Sequence, residues 1–237
     1  MVHHANMKPV QIQHGLKLGI AFLVLALPVI LVSVPAFQGT VIPQDAALVA
    51  QSLSTSPDDI GGIVASNAGS SDGPILSLTL AATSAIFGTD AFAHRVLSLL
   101  FHLLAIWLLL SLVSRQSVVG YFPVCLIGLF ALHPALAESY YSVGGRSNTM
   151  AGVAILALAV QLRNRASMGQ LFFTLLMGSL CKLTFIPAAA AVIGARYWRR
   201  PDFEAKGRQL RIGTLFGISA GLSLVGNHLI QSAQNTE

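Results

Sequence analysis

Three basic side chains stand where an otherwise apolar chain can least absorb a charge. Arg95, Arg146 and Lys182 each adjoin a long apolar run. A guanidinium or ammonium group held in hydrocarbon costs roughly 2.5–3.5 kcal/mol, so each must reach back to a polar interface or meet an anion. The phosphate of a lipid would supply that anion for Arg146 and Lys182, with Arg95 as a third cation. An ordinary phospholipid or Glu138 would answer the same need. Asp58 and Asp59 could hold a divalent cation together with Asp45, although helix capping explains these aspartates equally well. His102 lies inside a leucine-rich run and His133 at the end of another. Such a histidine can ligate haem or a chlorophyll magnesium, but more often it hydrogen-bonds to a neighbouring helix. No His, Cys and carboxylate set has metal-site spacing. Cys125 and Cys181 lie singly in apolar runs and are expected to be buried free thiols.

These residues need elements to place them, and composition indicates the solvent those elements meet. Of 237 residues, 54% are hydrophobic and only 10% charged, with a mean hydropathy of +0.71. A soluble domain carries about a quarter charged residues. The 14 basic and 9 acidic side chains here could not cover a water-facing surface of this size. Lipid is therefore expected to be the solvent for much of the chain. The net charge of +5 does not indicate nucleic acid, because the basic residues fall in short gaps between apolar runs and not in a patch with interleaved aromatics.

Seven apolar runs read as crossings: 16–37, 91–113, 118–135, 149–162, 171–181, 185–198 and 212–230. Several are shorter than the roughly 20 residues that span hydrocarbon. The stretch 171–198 has two readings, one long helix kinked at Pro187 or two short helices turning near Lys182. Charge decides between them. With a cytoplasmic N-terminus and two short helices, 11 of the 14 basic residues are cytoplasmic, and only Arg95, Arg146 and Lys182 are outside. One long helix would send the cluster from Arg196 to Arg211 outward, against the positive-inside rule. The first run, about 20 residues, exceeds the apolar core of a cleaved signal and is expected to be retained. In the outer loop 38–90, Ala46, Val49, Ala50 and Leu53 recur at i, i+3, i+4 and i+7, which predicts an amphipathic helix over 44–53 on the membrane surface. Ser56–Asp59 predicts a turn opening a second short helix. Residues 74–87, about 21 Å of helix at 1.5 Å per residue, predict an interfacial or half-inserted helix. The expected fold is an all-α polytopic transmembrane bundle forming a single domain over 1–237.

A sequence of short motifs adds a family resemblance. Ala93-His94-Arg95-Val96 precedes Phe101-His102-Leu103-Leu104 and a leucine-rich helix. Then come Leu129-Phe130-Ala131-Leu132-His133-Pro134, Glu138 and Val143-Gly144-Gly145-Arg146-Ser147-Asn148. After a further apolar helix come Leu180-Cys181-Lys182 and, five residues on, Pro187. Over roughly residues 20–200 this order resembles the membrane half of the O-mannosyltransferases that carry TPR repeats, which have the GT-C glycosyltransferase fold. The resemblance implies a seven-helix core, a cytoplasmic N-terminus, a catalytic first outer loop and a polyprenyl- or dolichyl-phosphate sugar as donor. On it, Asp45 is the carboxylate that takes the acceptor proton. Arg146, Lys182 and Arg95 are the cations that hold the lipid phosphate. His102 and His133 become packing residues.

Three departures accompany the resemblance. The family's acidic pair after the first helix is here Gln44-Asp45, its Lys-Glu is Lys182-Leu183, and the further helices and soluble domain that usually complete such enzymes do not follow the seventh run. Two functions are therefore expected. One is an enzyme moving a sugar from a polyprenyl phosphate to an acceptor on the outer face of a bacterial inner membrane. The other is a degenerate, non-catalytic transmembrane subunit, a shortened GT-C scaffold packed in a larger membrane complex. Both expect membrane lipids and other membrane subunits as partners. The charge split makes a direct prediction: reporters fused after Arg165 or after Lys206 read cytoplasmic, and one near Ser70 reads external. An external reading after Lys206 would show one long helix in place of two.

Overall fold

The computed structural model describes residues 9–38, 43–54, 73–114, 121–133, 136, 141–198 and 211–221. Asp58, Asp59, Glu138 and the turn expected at 56–59 lie outside them. Among the described residues the regular structure is entirely helical, with no strand. In chain order the helices are α1 (Pro9–Gln38), α2 (Pro43–Ser54), α3 (Pro74–Phe87), α4 (Ala91–Ser114), α5 (Tyr121–Ala131), α6 (Arg146–Arg163), α7 (Met168–Cys181) and α8 (Phe185–Trp198). A ninth, α9, covers 211–221.

Local chemistry accounts for the boundaries. Pro43 and Pro74 open α2 and α3, where proline lacks only an N–H that has no acceptor in the helix. Gly88 ends α3 at φ +61°, its N–H returning to the Ser84 carbonyl at 2.8 Å. That angle is one glycine adopts without a Cβ penalty. Ser167 and Gln170 form a reciprocal capping box at the start of α7, with bonds of 3.3 and 3.1 Å. Residues 171–198 form two helices, separated at 182–184, and Phe185 turns back on Gly178. The helix expected at 149–162 starts earlier, so Arg146 belongs to its first turn.

α4 and α6 run side by side and join two cores. On one side Leu99, Ile106 and Leu110 of α4 meet Leu25 and Val29 of α1 and Ile127 of α5. On the other, Leu158 and Leu162 of α6 meet Leu171 and Leu175 of α7, Phe185 of α8 and Ile212. Val49, Leu76, Leu80 and Val143 form a third, smaller core that seats α2 and α3 beside the start of α6. α2 is rotated from the expected stripe. Asp45 and Val49 face inward, whereas Ala46 and Ala50 are exposed.

Two segments are long and apolar enough to cross a bilayer, Leu16–Pro35 within α1 and Ala91–Ser114, each with a mean hydropathy of 2.6. The outward sides are themselves apolar. Leu23, Leu27 and Leu31 of α1 and Phe122 and Leu129 of α5 are each more than half exposed. Cys125 lies on this flank of α5 and is exposed, contrary to expectation, because i, i+3 and i+7 positions share one helix face. Cys181 is buried.

Two glycines record close approach. A Cβ on Gly73 would stand 1.9 Å from the Leu180 carbonyl oxygen, and the Gly73 N–H donates to the Cys181 carbonyl at 3.0 Å. A Cβ on Gly178 would meet the Phe185 ring at 2.4 Å. The first neighbour is backbone and the second is a side chain. Both Gly73→Ala and Gly178→Ala are expected to lower thermal stability in detergent by the ~1–3 kcal/mol typical of overpacking, Gly73→Ala the more. Adding Phe185→Leu should lessen the loss at Gly178 and leave that at Gly73 unchanged.

Candidate functional site

Among the described residues, one of the largest fully buried side chains is a charged one. Arg146, in the first turn of α6, has 0% of its surface exposed. Its Nε donates to Ser98 Oγ at 3.2 Å, Nη1 to Thr83 Oγ1 at 3.4 Å and Nη2 to the His94 carbonyl at 2.8 Å. The two hydroxyls are free to accept because their own protons are committed elsewhere. Ser98 donates to the His94 carbonyl at 3.2 Å, and Thr83 to the Thr79 carbonyl at 2.5 Å. The His94 ring lies between a carbonyl and the guanidinium, with Nε2 3.3 Å from Gly88 O and Nδ1 3.5 Å from Arg146 Nη2. Those partners assign the hydrogen to Nε2, leaving Nδ1 as an acceptor. Arg146 was expected to meet a lipid phosphate; here its donors are met by α3 and α4.

Asp45 arrives from the first loop. It is 2% exposed, and its Oδ1 accepts from Ser142 Oγ at 3.1 Å and from the Gly144 N–H at 3.3 Å. Ser142 Oγ also accepts from the Gly145 N–H at 3.3 Å, which closes the turn. A carboxylate and the turn before α6, 97 positions apart in the chain from Asp45 to Ser142, are thus brought together. Asp45 acts electrostatically on Arg146, yet none of the guanidinium's hydrogen bonds reaches it. Its second oxygen, Oδ2, is buried and has no hydrogen-bond partner among the described residues. Leaving such an acceptor unmet costs about 1–3 kcal/mol, so it marks a place where a proton or polar ligand would be bound.

Lys182 lies in the turn between α7 and α8, and its Nζ donates to Asn148 Oδ1 at 2.6 Å. Asn148 is two residues beyond Arg146, and i and i+2 positions point to different sides of a helix. Lys182 is therefore gathered to the same end of α6 as Arg146 but not into the same network. Arg95 is buried near the start of α4, and His133 is exposed beyond α5. His102 is buried, its ring Nε2 3.1 Å from the Ala131 carbonyl and stacked on Phe130. That is an interhelical bond of the kind expected. Thr83, Ser98 and Ser142 carry much of this geometry and were not singled out by sequence. The available signal was the i, i+4 pair His94 and Ser98 on an apolar helix.

No family model matches this chain, and no curated protein or solved structure matches it either. The geometry predicts a sharp contrast between two variants. Asp45→Asn keeps an oxygen for Ser142 and Gly144 and should stay within about 1 kcal/mol of the parent. Arg146→Lys cannot reach Ser98, Thr83 and His94 together and should lose about 2 kcal/mol or more. Thermal unfolding in detergent checks both, and equal losses would contradict the arrangement.

Proposed function

We propose that this chain is a seven-crossing integral membrane protein with a cytoplasmic N-terminus, built on a GT-C-like scaffold. It transfers a sugar from a polyprenyl phosphate to an acceptor hydroxyl at the outer face of a bacterial inner membrane. Support for lipid as solvent comes from the outward leucines of α1, each of which would gain roughly 1.5–3 kcal/mol on leaving water. α6, with 18 residues, is about 27 Å long, close to the ~30 Å of hydrocarbon.

The observation that carries the enzymatic reading is Asp45, buried, anchored through Oδ1, and with Oδ2 lacking a donor among the described residues. In the transfer the acceptor oxygen bonds to the anomeric carbon as the bond from that carbon to the phosphate oxygen breaks. The hydroxyl proton passes to Asp45 Oδ2, and the phosphate leaves on the polyprenyl chain with its negative charge. Lys182, partly exposed beside Asn148, is the cation suited to that phosphate. Arg146 is a positioning residue, fixing the turn whose Gly144 N–H holds Asp45. Because Oδ2 is enclosed, an acceptor reaches it only by displacing the side chains around it while Ser142 and Gly144 keep hold of Oδ1.

A second reading is a non-catalytic subunit in a larger membrane complex. It draws on a different observation, that Arg146 is wholly enclosed with Thr83, His94 and Ser98 as its partners, a structural tie that needs no ligand. Gln44 and Leu183, where the resembling enzymes carry acids, favour it too.

Proteoliposomes given a radiolabelled polyprenyl-phosphate sugar separate the two. The enzyme should release polyprenyl phosphate, and Asp45→Asn should slow release about a hundred-fold or more, the usual worth of a general base. Release unchanged by Asp45→Asn would remove Asp45 from the chemistry. No release at all, with a large assembly after gentle extraction, would favour the subunit.

A further inference from the structure

α4 and α6 flank a partly open cavity of about 190 Å³ lined by Trp107, Ser111 and Leu112 on one side and Val160, Arg163 and Asn164 on the other. Arg146 and Arg163 are the first and last residues of the 18-residue α6, and so stand about 25 Å apart. The cavity is therefore remote from Asp45, and the inference drawn from it is independent of sugar transfer.

Arg163 Nη1 donates to the Leu112 carbonyl in the last turn of α4, where carbonyls have no partner in the helix. That bond aims the guanidinium across the cavity. Among the described residues no other hydrogen bond or ion pair engages Arg163. Among the described residues no counter-charge lies nearby: α4, α6, α7 and α8 contain no Asp or Glu. A half-buried guanidinium with one backbone bond and no carboxylate among the described residues is suited to an external anion, and its planar fork matches phosphate oxygens.

Size narrows the ligand. About 190 Å³ is the space of some six waters at roughly 30 Å³ each. It is below the ~300 Å³ at which drug-sized sites begin. One phosphate group fits within it, and the rest of any larger ligand would lie outside. Trp107 is 38% exposed and packs edge-on against Phe22. An indole beside a cation is suited to a phosphate whose remaining chain lies in apolar surroundings. We propose that this cavity binds a single phosphate group, with Arg163 and Asn164 contacting its oxygens and Trp107 flanking them. In a membrane the phosphate is that of an anionic phospholipid; a free phosphate offers the same chemistry.

The full chain carrying Trp198→Phe retains Trp107 as its only tryptophan and so reports on the cavity by fluorescence. In maltoside detergent it is titrated separately with phosphatidylglycerol, inorganic phosphate and diacylglycerol. A saturable change in emission with phosphatidylglycerol alone identifies a lipid site. A change with inorganic phosphate as well shows that the free ion suffices. Diacylglycerol, lacking phosphate, should give none. Arg163→Gln should weaken the response about ten-fold or more, the effect of losing a charge-assisted hydrogen bond. Ser111→Leu should abolish it by filling the cavity while leaving Arg163 in place, and it decides the matter if Arg163→Gln does not fold. The proposal is overturned if no phosphate probe is bound, if diacylglycerol acts equally, or if both variants respond like the parent. Arg163 would then serve only to complement the ends of α4 and α6.

Discussion

A guanidinium taken out of water must have its donors met in three directions at once, and Arg146 meets them by drawing together helices that are far apart in the chain. Ser98 and His94 belong to α4 and Thr83 to α3, while Arg146 itself opens α6. The demand extends beyond direct contacts. Ser98 and Thr83 can accept because each donates to a carbonyl in its own helix. His94 can accept because Gly88 takes its other ring hydrogen. Gly88 in turn adopts the positive φ that ends α3. One buried charge thereby dictates a tautomer, two hydroxyl orientations and a helix terminus, and weakening any of them exposes the cost of an unmet cation.

The first loop depends on the same turn. Arg146 fixes the start of α6, the residues before it form the Ser142–Gly145 turn, and that turn supplies both donors to Asp45 Oδ1. α2 is thus held at one end by a carboxylate and along its length by Val49 against Leu76 and Leu80. Leu48 packs against the same cluster, so α2 is seated by apolar contacts as well as by its carboxylate. Packing and candidate chemistry meet at this single carboxylate.

Much of this architecture was legible in the sequence, because run lengths and prolines carry it. Pro74 and Gly88 delimit α3, and the break at 182–184 was expected because one long helix would send the basic cluster from Arg196 to Arg211 outward. The orientation of α2 was not legible. An apolar stripe counts Ala46 and Ala50, but the partners that turn Asp45 inward come from Ser142 and Gly144, invisible to a local pattern. Arg146 was hidden for the same reason. Read alone, an arginine beside an apolar run belongs at a lipid interface, and only tertiary contact shows that two other helices supply its acceptors. Cys125 failed more simply, since an apolar run does not say which of its faces meets protein.

The space around Asp45 is where the account is most exposed to test. A cryo-electron microscopy map of the whole protein in nanodiscs containing a polyprenyl phosphate would show what meets Oδ2 and Lys182. The account predicts phosphate density beside Lys182 and a polar group meeting Asp45 Oδ2, with Oδ1 still held by Ser142 and Gly144 and Arg146 still bound to Ser98, Thr83 and His94. Phosphate density absent from that region, with another protein chain covering it, would contradict the enzymatic reading.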